Sequence, residues 1–491
     1  MIYPTIDEVK QIISDGDYKR IPIRKELNSD MITPIMAIRR FMNVSSHVFM
    51  LESAEQDKRW GRYTFLGYEP TMEITCQNNL LTIKDETGVH QKNVNHPGEA
   101  IRQIIKDNRA PMLSNMPPFA GGLVGYFSYD YIRYSEPSLK LDANDEESFK
   151  DVDLMLFDKL IVFDNYRQKV IIIANIKTDD TGTNYENAVE EIEKIENILL
   201  AGEMKGIEPL KLKSEYRYLF DKDEYCNMVN RGKHYIKEGD IFQVVLSNRI
   251  EADIEGSLFD TYRALRMTNP SPYMFYFSSD DIEIAGASPE TLTKLENGEL
   301  HTYPLAGTRP RGRDEEEDER LKDELLSDEK ERAEHNMLVD LGRNDIGKIS
   351  KIGTVEVEKY MDVVKYSHVM HIGSTVKGII RDDKDALDAV DSILPAGTLS
   401  GAPKLRACEI ICELENNKRG IYGGAIGYVD FTGNLDTCIA IRLAFAKNNK
   451  VFIRSGAGIV ADSVPENEYR ECINKAAAVI NALNISQGGI D

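Results

Sequence analysis

The chain has 491 residues, 42% of them hydrophobic and 29% charged, and a formal charge of −22. That balance fits a soluble globular protein of two or three domains, or one large two-layer unit. It argues against nucleic acid as a partner, because phosphate recognition needs clustered Lys and Arg; an acidic protein that takes an anionic substrate must supply local cations or a metal.

No apolar run reaches membrane-spanning length, and the longest, residues 170–176, reads as a buried strand. Residues 1–10 lack the basic start and apolar core of a signal sequence. The six cysteines, Cys76, Cys226, Cys408, Cys412, Cys438 and Cys472, form no paired framework. A cytoplasmic, reducing location is therefore expected.

In chain order, residues 5–14 and 34–42 predict short helices, and residues 47–53 a strand. Turn residues separate the β-branched and aromatic stretches 63–68, 72–77 and 80–84, which predict further strands. A helix is expected near 97–107, strands over 154–164 and 169–176, and a helix over 185–200. Residues 201–220 mix Gly, Pro and charge without periodicity and read as a linker between a β-rich N-terminal domain, 1–200, and a second domain, 221–491. The second opens with a helix over 221–239, a strand over 240–247 and a helix over 258–267.

Two glycine-rich stretches, GGLVGY (121–126) and GGAIGY (423–428), echo each other. Neither has the ending of a phosphate loop, so close strand approach is the better explanation of the glycines. The acidic run RDEEEDER (313–320) predicts an exposed helix start or a loop. His368 and His371 have metal-like spacing, yet on a strand they face opposite sides, so only one is expected to point inward.

Residues 328–345 carry the strongest helical signal. Glu331, Glu334, Leu338 and Leu341 share one narrow stripe, Ser327 or Asp328 offers a cap, and Gly342 marks the expected end. Two carboxylates in line with leucines depart from the usual solvated acidic face. A buried carboxylate must be paired, protonated or bound to metal. A helix over 464–483 repeats the arrangement: Tyr469, Cys472, Ile473, Ala476, Ile480 and Leu483 form its apolar face, with Glu468, Glu471 and Lys475 alongside. If the two helices meet, their oxygen ligands suit a hard ion such as magnesium better than zinc.

Six segments taken together carry a family resemblance: GASPE (286–290), PLAGTRPRG (304–312), ERAEHNMLVDLGRND (331–345), VMHIGS (369–374), PAGTLSGAPK (395–404) and RSGAGIVADSVPENEY (454–469). In this order the chain resembles the chorismate-utilising enzymes, strongly over 221–483 and more weakly before it. The resemblance implies an α+β fold, with two intimately packed sheet-and-helix halves forming a large β-sandwich core and helices outside. It also implies that Glu334 and Glu471 contact Mg2+, that Glu331 and Glu468 hold its waters, and that Glu290 is the general acid with His371 the base or orienter. By the same resemblance Arg442 and Tyr422, with backbone amides around Gly456 and Gly458, hold the enolpyruvyl carboxylate, and Thr308, Thr398 and Lys475 complete the set.

Two departures point to one branch. Ala306 stands where the aminodeoxychorismate-forming members, the nearest alternative, carry a nucleophilic lysine. Gln243 stands where the water-using members carry an activating lysine. Both suit an ammonia-using, anthranilate-forming enzyme of tryptophan biosynthesis. No glutaminase nucleophile is present, so a separate glutamine amidotransferase subunit is the expected partner and ammonia source. Glu52 and Ser53, with Pro272, Tyr273 and Met274 from residues 269–275, resemble the two segments of a tryptophan feedback pocket. A non-catalytic, effector-binding regulator on the same scaffold is the remaining rival, disfavoured by the intact Glu290, Glu334, His371 and Glu471.

Overall fold

Apolar strand runs that must bury both faces, alternating with amphipathic helices that bury one, produce a four-layer arrangement of helices, sheet, sheet and helices. The computed structural model describes residues 1–53, 61–365 and 369–490. Every strand pairing among them is antiparallel except for two isolated bridges.

One sheet of 14 strands runs from Ile2–Tyr3 through Arg20–Asn28, Lys169–Lys177, Lys159–Asp164, Tyr63–Tyr68 and Val48–Glu52, and continues through Tyr273–Ser278, Glu283–Ser288, Leu443–Lys447 and Lys450–Ile459 to Gln243–Glu255. The other, of 12 strands, includes Leu305–Pro310, Val369–Ile379, Thr291–Glu296, Leu435–Ile439 and Ala425–Asp430, then Gly122–Phe127, Val152–Phe157 and Met72–Gln77. Both sheets thus draw strands from the first 200 residues and from the C-terminal part. Between them lies an aromatic core that includes Phe49, Phe275, Phe445 and Phe452 from one face and Tyr126, Phe157 and Cys438 from the other. Outer helices bury their apolar stripes against the two remaining faces.

The echoing glycine stretches are neighbours: Gly122–Phe127 pairs with Ala425–Asp430, with Gly125 opposite Gly427. A Cβ on Gly125 would lie 2.0 Å from the Asp153 carbonyl oxygen and one on Gly427 2.1 Å from that of Asp436. Close backbone approach accounts for both.

Several expectations need correction. The stretch 154–164 is two strands, Val152–Phe157 and Lys159–Asp164, which belong to different sheets and divide at Asp158. The segment read as a linker contributes Lys211–Leu212 and Arg217–Tyr218, both paired with Gln243–Glu255. The helix expected over 185–200 begins a turn earlier, at Thr181, because the Asp180 carboxylate caps the Thr183 N–H. The acidic run becomes the helix Glu315–Ser327, capped by Asp314, and within it Asp318 is buried against Arg311. His368 lies outside the described residues.

The helix predicted over 328–345 is Glu329–Gly347, capped by Asp328, whose side chain accepts from the Lys330 and Glu331 N–H groups. It runs past Gly342. Its last turns are held by buried Ile346 and by Asp345, which pairs with Lys404 at 2.7 Å, and Gly342 permits contact with Thr302, where a Cβ would lie 3.1 Å from the methyl group. Tertiary contacts here override a helix-ending residue.

Candidate active site

The chain crosses from one sheet to the other twice at one end of the sandwich. Glu290 lies in the crossing between Glu283–Ser288 and Thr291–Glu296, and Arg442 in the crossing between Leu435–Ile439 and Leu443–Lys447. The crossings are stitched together, Ile439 N–H donating to the Glu290 carbonyl at 2.9 Å and Ala287 N–H to that of Arg442 at 3.1 Å. Residues released from strand geometry can aim into the space beyond the sheet ends.

Glu290 has its carboxyl pushed up to about 7 by burial, against the Thr398 hydroxyl, which donates to Oε1 at 3.0 Å, and the more remote charge of Lys475. The group is poised to carry a proton near neutral pH. Sequence reasoning missed its anchor, Ser288: the hydroxyl accepts from the Glu290 N–H at 3.3 Å and donates to the Ile439 carbonyl at 2.7 Å. The serine of GASPE, two residues before the acid, was the available signal.

The apolar residues flanking Arg442, CIAI and LAFA, have strand character, yet Arg442 itself lies between two strands in the left-handed region at φ +53. A non-glycine residue there carries strain that the surroundings must fix, a pattern that concentrates at functional sites. Burial lowers its guanidinium from the usual value, and among the described residues it has no carboxylate partner. Tyr422, buried and shifted upward by desolvation, raises it in part. A half-buried guanidinium without an acid is equipped to take a ligand carboxylate in two parallel hydrogen bonds.

His371 sits on Val369–Ile379 at the edge facing Leu305–Pro310. Its Nδ1 lies 2.8 Å from the Gly307 carbonyl and 3.1 Å from the Thr308 hydroxyl. A carbonyl can only accept, so Nδ1 carries the proton and the lone pair is on Nε2. Burial keeps the ring neutral to lower pH than an exposed histidine.

On the opposite flank, Gln243 opens the strand Gln243–Glu255 beside Gly458. The amide is buried, and its Oε1 has no hydrogen-bond partner among the described residues. A Cβ on Gly458 would stand 2.7 Å from Gln243 Nε2, and one on Gly456 3.0 Å from the Tyr422 hydroxyl, so both glycines keep the surface open to close approach. Lys475 donates to the Gly456 carbonyl at 3.1 Å and pairs with Glu471 at 2.7 Å.

The two glutamate helices, Glu329–Gly347 and Pro465–Ser486, bring their acidic stripes within electrostatic reach. Burial raises Glu334, with Glu331 and Glu471 repelling its charge and Lys330 and Lys475 opposing them; burial raises Glu468 too, and Glu471 adds to it. Glu331 is held by Arg309 at 3.5 Å. No three of these four carboxylates gather within 4.8 Å. The donors are all carboxylate oxygens, a set that suits a hard divalent ion keeping several waters, and such an ion would compete with Lys475 for Glu471 and with Arg309 for Glu331. By contrast His47, Glu73 and Asp280 do gather, but the Lys84 ammonium already lies 3.1 Å from both carboxylates.

The second group of expected residues is also brought together. Glu52 on Val48–Glu52 stands opposite Met274 on Tyr273–Ser278. Its carboxylate accepts from the Tyr262 hydroxyl and, at 2.6 and 3.1 Å, from Arg266. Pro272 and Met274 are buried, and the Tyr273 hydroxyl donates to Asp436 at 2.8 Å. Ser53 follows the strand directly.

Comparison with known proteins adds three findings. The family described as chorismate binding enzyme matches residues 46–481. Anthranilate synthase component 1 of Acetivibrio thermocellus is 48% identical over 98% of this chain and 99% of that protein, and its counterpart from Aquifex aeolicus is 41% identical over 98% of each. The crystal structure of anthranilate synthase component I from Streptococcus pneumoniae superposes with a TM-score of 0.75 at 36% identity, covering 92% of this chain and 98% of that one.

Proposed function

Since the chain belongs to the chorismate binding enzyme family, we propose that its reaction is the conversion of chorismate and ammonia to anthranilate and pyruvate, the activity of an anthranilate synthase large subunit. The observation that carries this reading is Glu290, a half-buried carboxyl raised to about 7, set at a sheet crossing stitched to that of Arg442, an arginine with no acid partner among the described residues. Ala306, buried on Leu305–Pro310 opposite Ile372, brings a methyl group where aminodeoxychorismate formation would need an amine.

The residues divide the work as follows. Arg442, with Tyr422 and the open backbone at Gly456 and Gly458, grips the enolpyruvyl carboxylate. Glu290 gives its proton to the ring hydroxyl, which departs as water while ammonia forms the new C–N bond two carbons away in the conjugated ring. The orphaned Gln243 Oε1 accepts an ammonia N–H and orients the lone pair. A base then takes the ring proton from the aminated carbon; the electron pair makes the ring aromatic, the ring C–O bond breaks, and the enolate of pyruvate leaves and takes up a proton at its methylene carbon. His371, neutral and turned by the Gly307 carbonyl and Thr308, is suited to that step.

Mg2+ is assigned to the two glutamate helices, with Glu334 and Glu471 as ligands and Glu331 and Glu468 on its waters. When bound it supplies positive charge for the ring carboxylate in a protein of net charge −22. Tryptophan is assigned to the Glu52–Ser53 and Pro272–Met274 segments, where buried Pro272 and Met274 lie beside the half-buried Glu52 and Ser53, a mix of apolar wall and polar group that suits an indole amino acid. Ammonia is assigned to a glutamine amidotransferase subunit docked on this chain.

The test is anthranilate fluorescence from chorismate, magnesium and ammonium salt with the chain alone, with and without tryptophan. Anthranilate formed only with magnesium and suppressed by tryptophan is the expected result. Chorismate consumed without anthranilate would move the chain to another branch, and untouched chorismate would favour a regulatory binder.

A further inference from the structure

Behind the substrate surface lies a cluster of buried charge that the reaction scheme does not use. Glu415, at the end of the helix Lys404–Glu415, Arg419 and Arg454 have side chains 1%, 1% and 2% exposed. Glu415 accepts from Arg419 Nε at 2.9 Å and Nη2 at 2.5 Å, from Arg454 Nη2 at 3.0 Å, and from the Ser247 N–H and hydroxyl at 2.7 and 2.9 Å. Arg419 then reaches outward. Its Nη1 donates to the Leu399 carbonyl at 2.6 Å and its Nη2 to the Val245 carbonyl at 2.7 Å. Its guanidinium lies 4.5 Å from the Tyr129 ring and 5.7 Å from that of Tyr422.

Burying one carboxylate and two guanidiniums is a costly way to stabilise a core, since apolar groups of similar volume serve as well or better. What distinguishes this cluster is where its bonds go. Leu399 follows Thr398, the residue whose hydroxyl holds the Glu290 carboxyl, in a helical turn of three residues, Gly397–Leu399, that has no side-chain cap of its own. Val245 lies two residues after Gln243 and opposite Gly458. The Ser400 carbonyl takes the Val245 N–H at 2.9 Å, so turn and strand are joined on both sides of the guanidinium.

We propose that Arg419 is a positioning residue for Glu290: its planar fork fixes the turn that carries Thr398 against the strand that carries Gln243, with Glu415 and Arg454 as the base on which it rests. This rests on the reading of Glu290 as general acid. A lysine in its place keeps the charge facing Glu415 but cannot serve a carboxylate and two carbonyls in one plane.

The experiment compares Arg419→Lys, Arg419→Gln, Thr398→Val and the Arg419→Lys/Thr398→Val pair in the full chain, measuring kcat, KM and the pH profile of kcat with ammonium held in excess. The Thr398 hydrogen bond holds Glu290 down, so its loss raises the group and moves the alkaline limb of kcat to higher pH. Arg419→Lys is expected to lower kcat roughly 10- to 100-fold with KM within about threefold, as loss of alignment does. It should move the limb in the same direction as Thr398→Val, and the pair should move it no further than either alone.

A folded Arg419→Lys with normal kcat and an unmoved limb would overturn the proposal, as would a pair whose shifts add. If Arg419→Gln fails to fold, Arg419→Lys carries the test. Collapse of that variant as well would assign the arginine to the scaffold and equally overturn the proposal. A Glu290→Gln control separates the two levels, since full activity there would sink the general-acid reading itself. A slow Glu290→Gln beside an unaffected Arg419→Lys would sink only the positioning role.

Discussion

Two regions of this molecule bury charge, and they do so in opposite ways. In the Glu415, Arg419 and Arg454 cluster the charges meet one another and the carbonyls around them. In the adjoining cleft Glu290 and Arg442 are half-buried and, among the described residues, have no opposite charge bonded to them, and Glu334 lies among other carboxylates. Self-satisfied charge specifies a shape, whereas unsatisfied charge waits for a ligand or a proton.

Substitutions break the comparison from either side. The largest effect expected is from Glu290→Gln, which keeps the shape and removes the proton: kcat should fall about 10³-fold, roughly 4 kcal/mol, with KM little changed in steady-state anthranilate assays. In the paired region Glu415→Gln should instead cost stability, about 3 kcal/mol or more, by leaving two buried guanidiniums without their acid; denaturant unfolding would read it. Equal tolerance of both changes would dissolve the distinction. Arg442→Lys tests the cleft again, with KM for chorismate rising about 10- to 100-fold as the bidentate grip is lost, and a normal KM would remove Arg442 from the carboxylate site.

pH sharpens the comparison further. Glu290 must be protonated to act, so its raised value places loss of kcat on the alkaline side, about tenfold per pH unit well above 7. Burial lowers His371, so it stays a neutral base below the ordinary histidine range and the acid limb should fall under pH 6.5. A kcat that keeps rising through pH 9 would contradict the acid assignment. The smallest effect on turnover is expected at Ser53→Phe, away from both charged regions: basal activity within about twofold, with tryptophan no longer inhibiting. Full inhibition of that variant would place the effector elsewhere.

The sequence made local features legible and non-local ones obscure. Asp328 as a cap and the in-line Glu331 and Glu334 are short-range signals, and each appears in place. The change of sheet is marked in the sequence only by Asp158–Lys159 between two apolar runs, and because both strands are buried on both faces nothing local tells a change of sheet from an interrupted strand. The helix does not end at Gly342 because Asp345 in the next turn is held by Lys404, 59 residues beyond that aspartate. Arg442 looked like a strand residue since its flanks are apolar, and nothing local announces a sheet crossing. Arg419 lay beside the glycine-rich stretch without a spacing that marks it.

The pairing of Val48–Glu52 with Tyr273–Ser278 and of Gly122–Phe127 with Ala425–Asp430 has a consequence for how the chain comes apart. Cutting it near residue 210 separates strands that are neighbours in the middle of both sheets, so each piece would carry two long, raw, hydrogen-bonding edges, the kind that recruits other chains. The two pieces should therefore aggregate when made singly and complement each other when made together, and the intact chain should melt in one calorimetric transition rather than two.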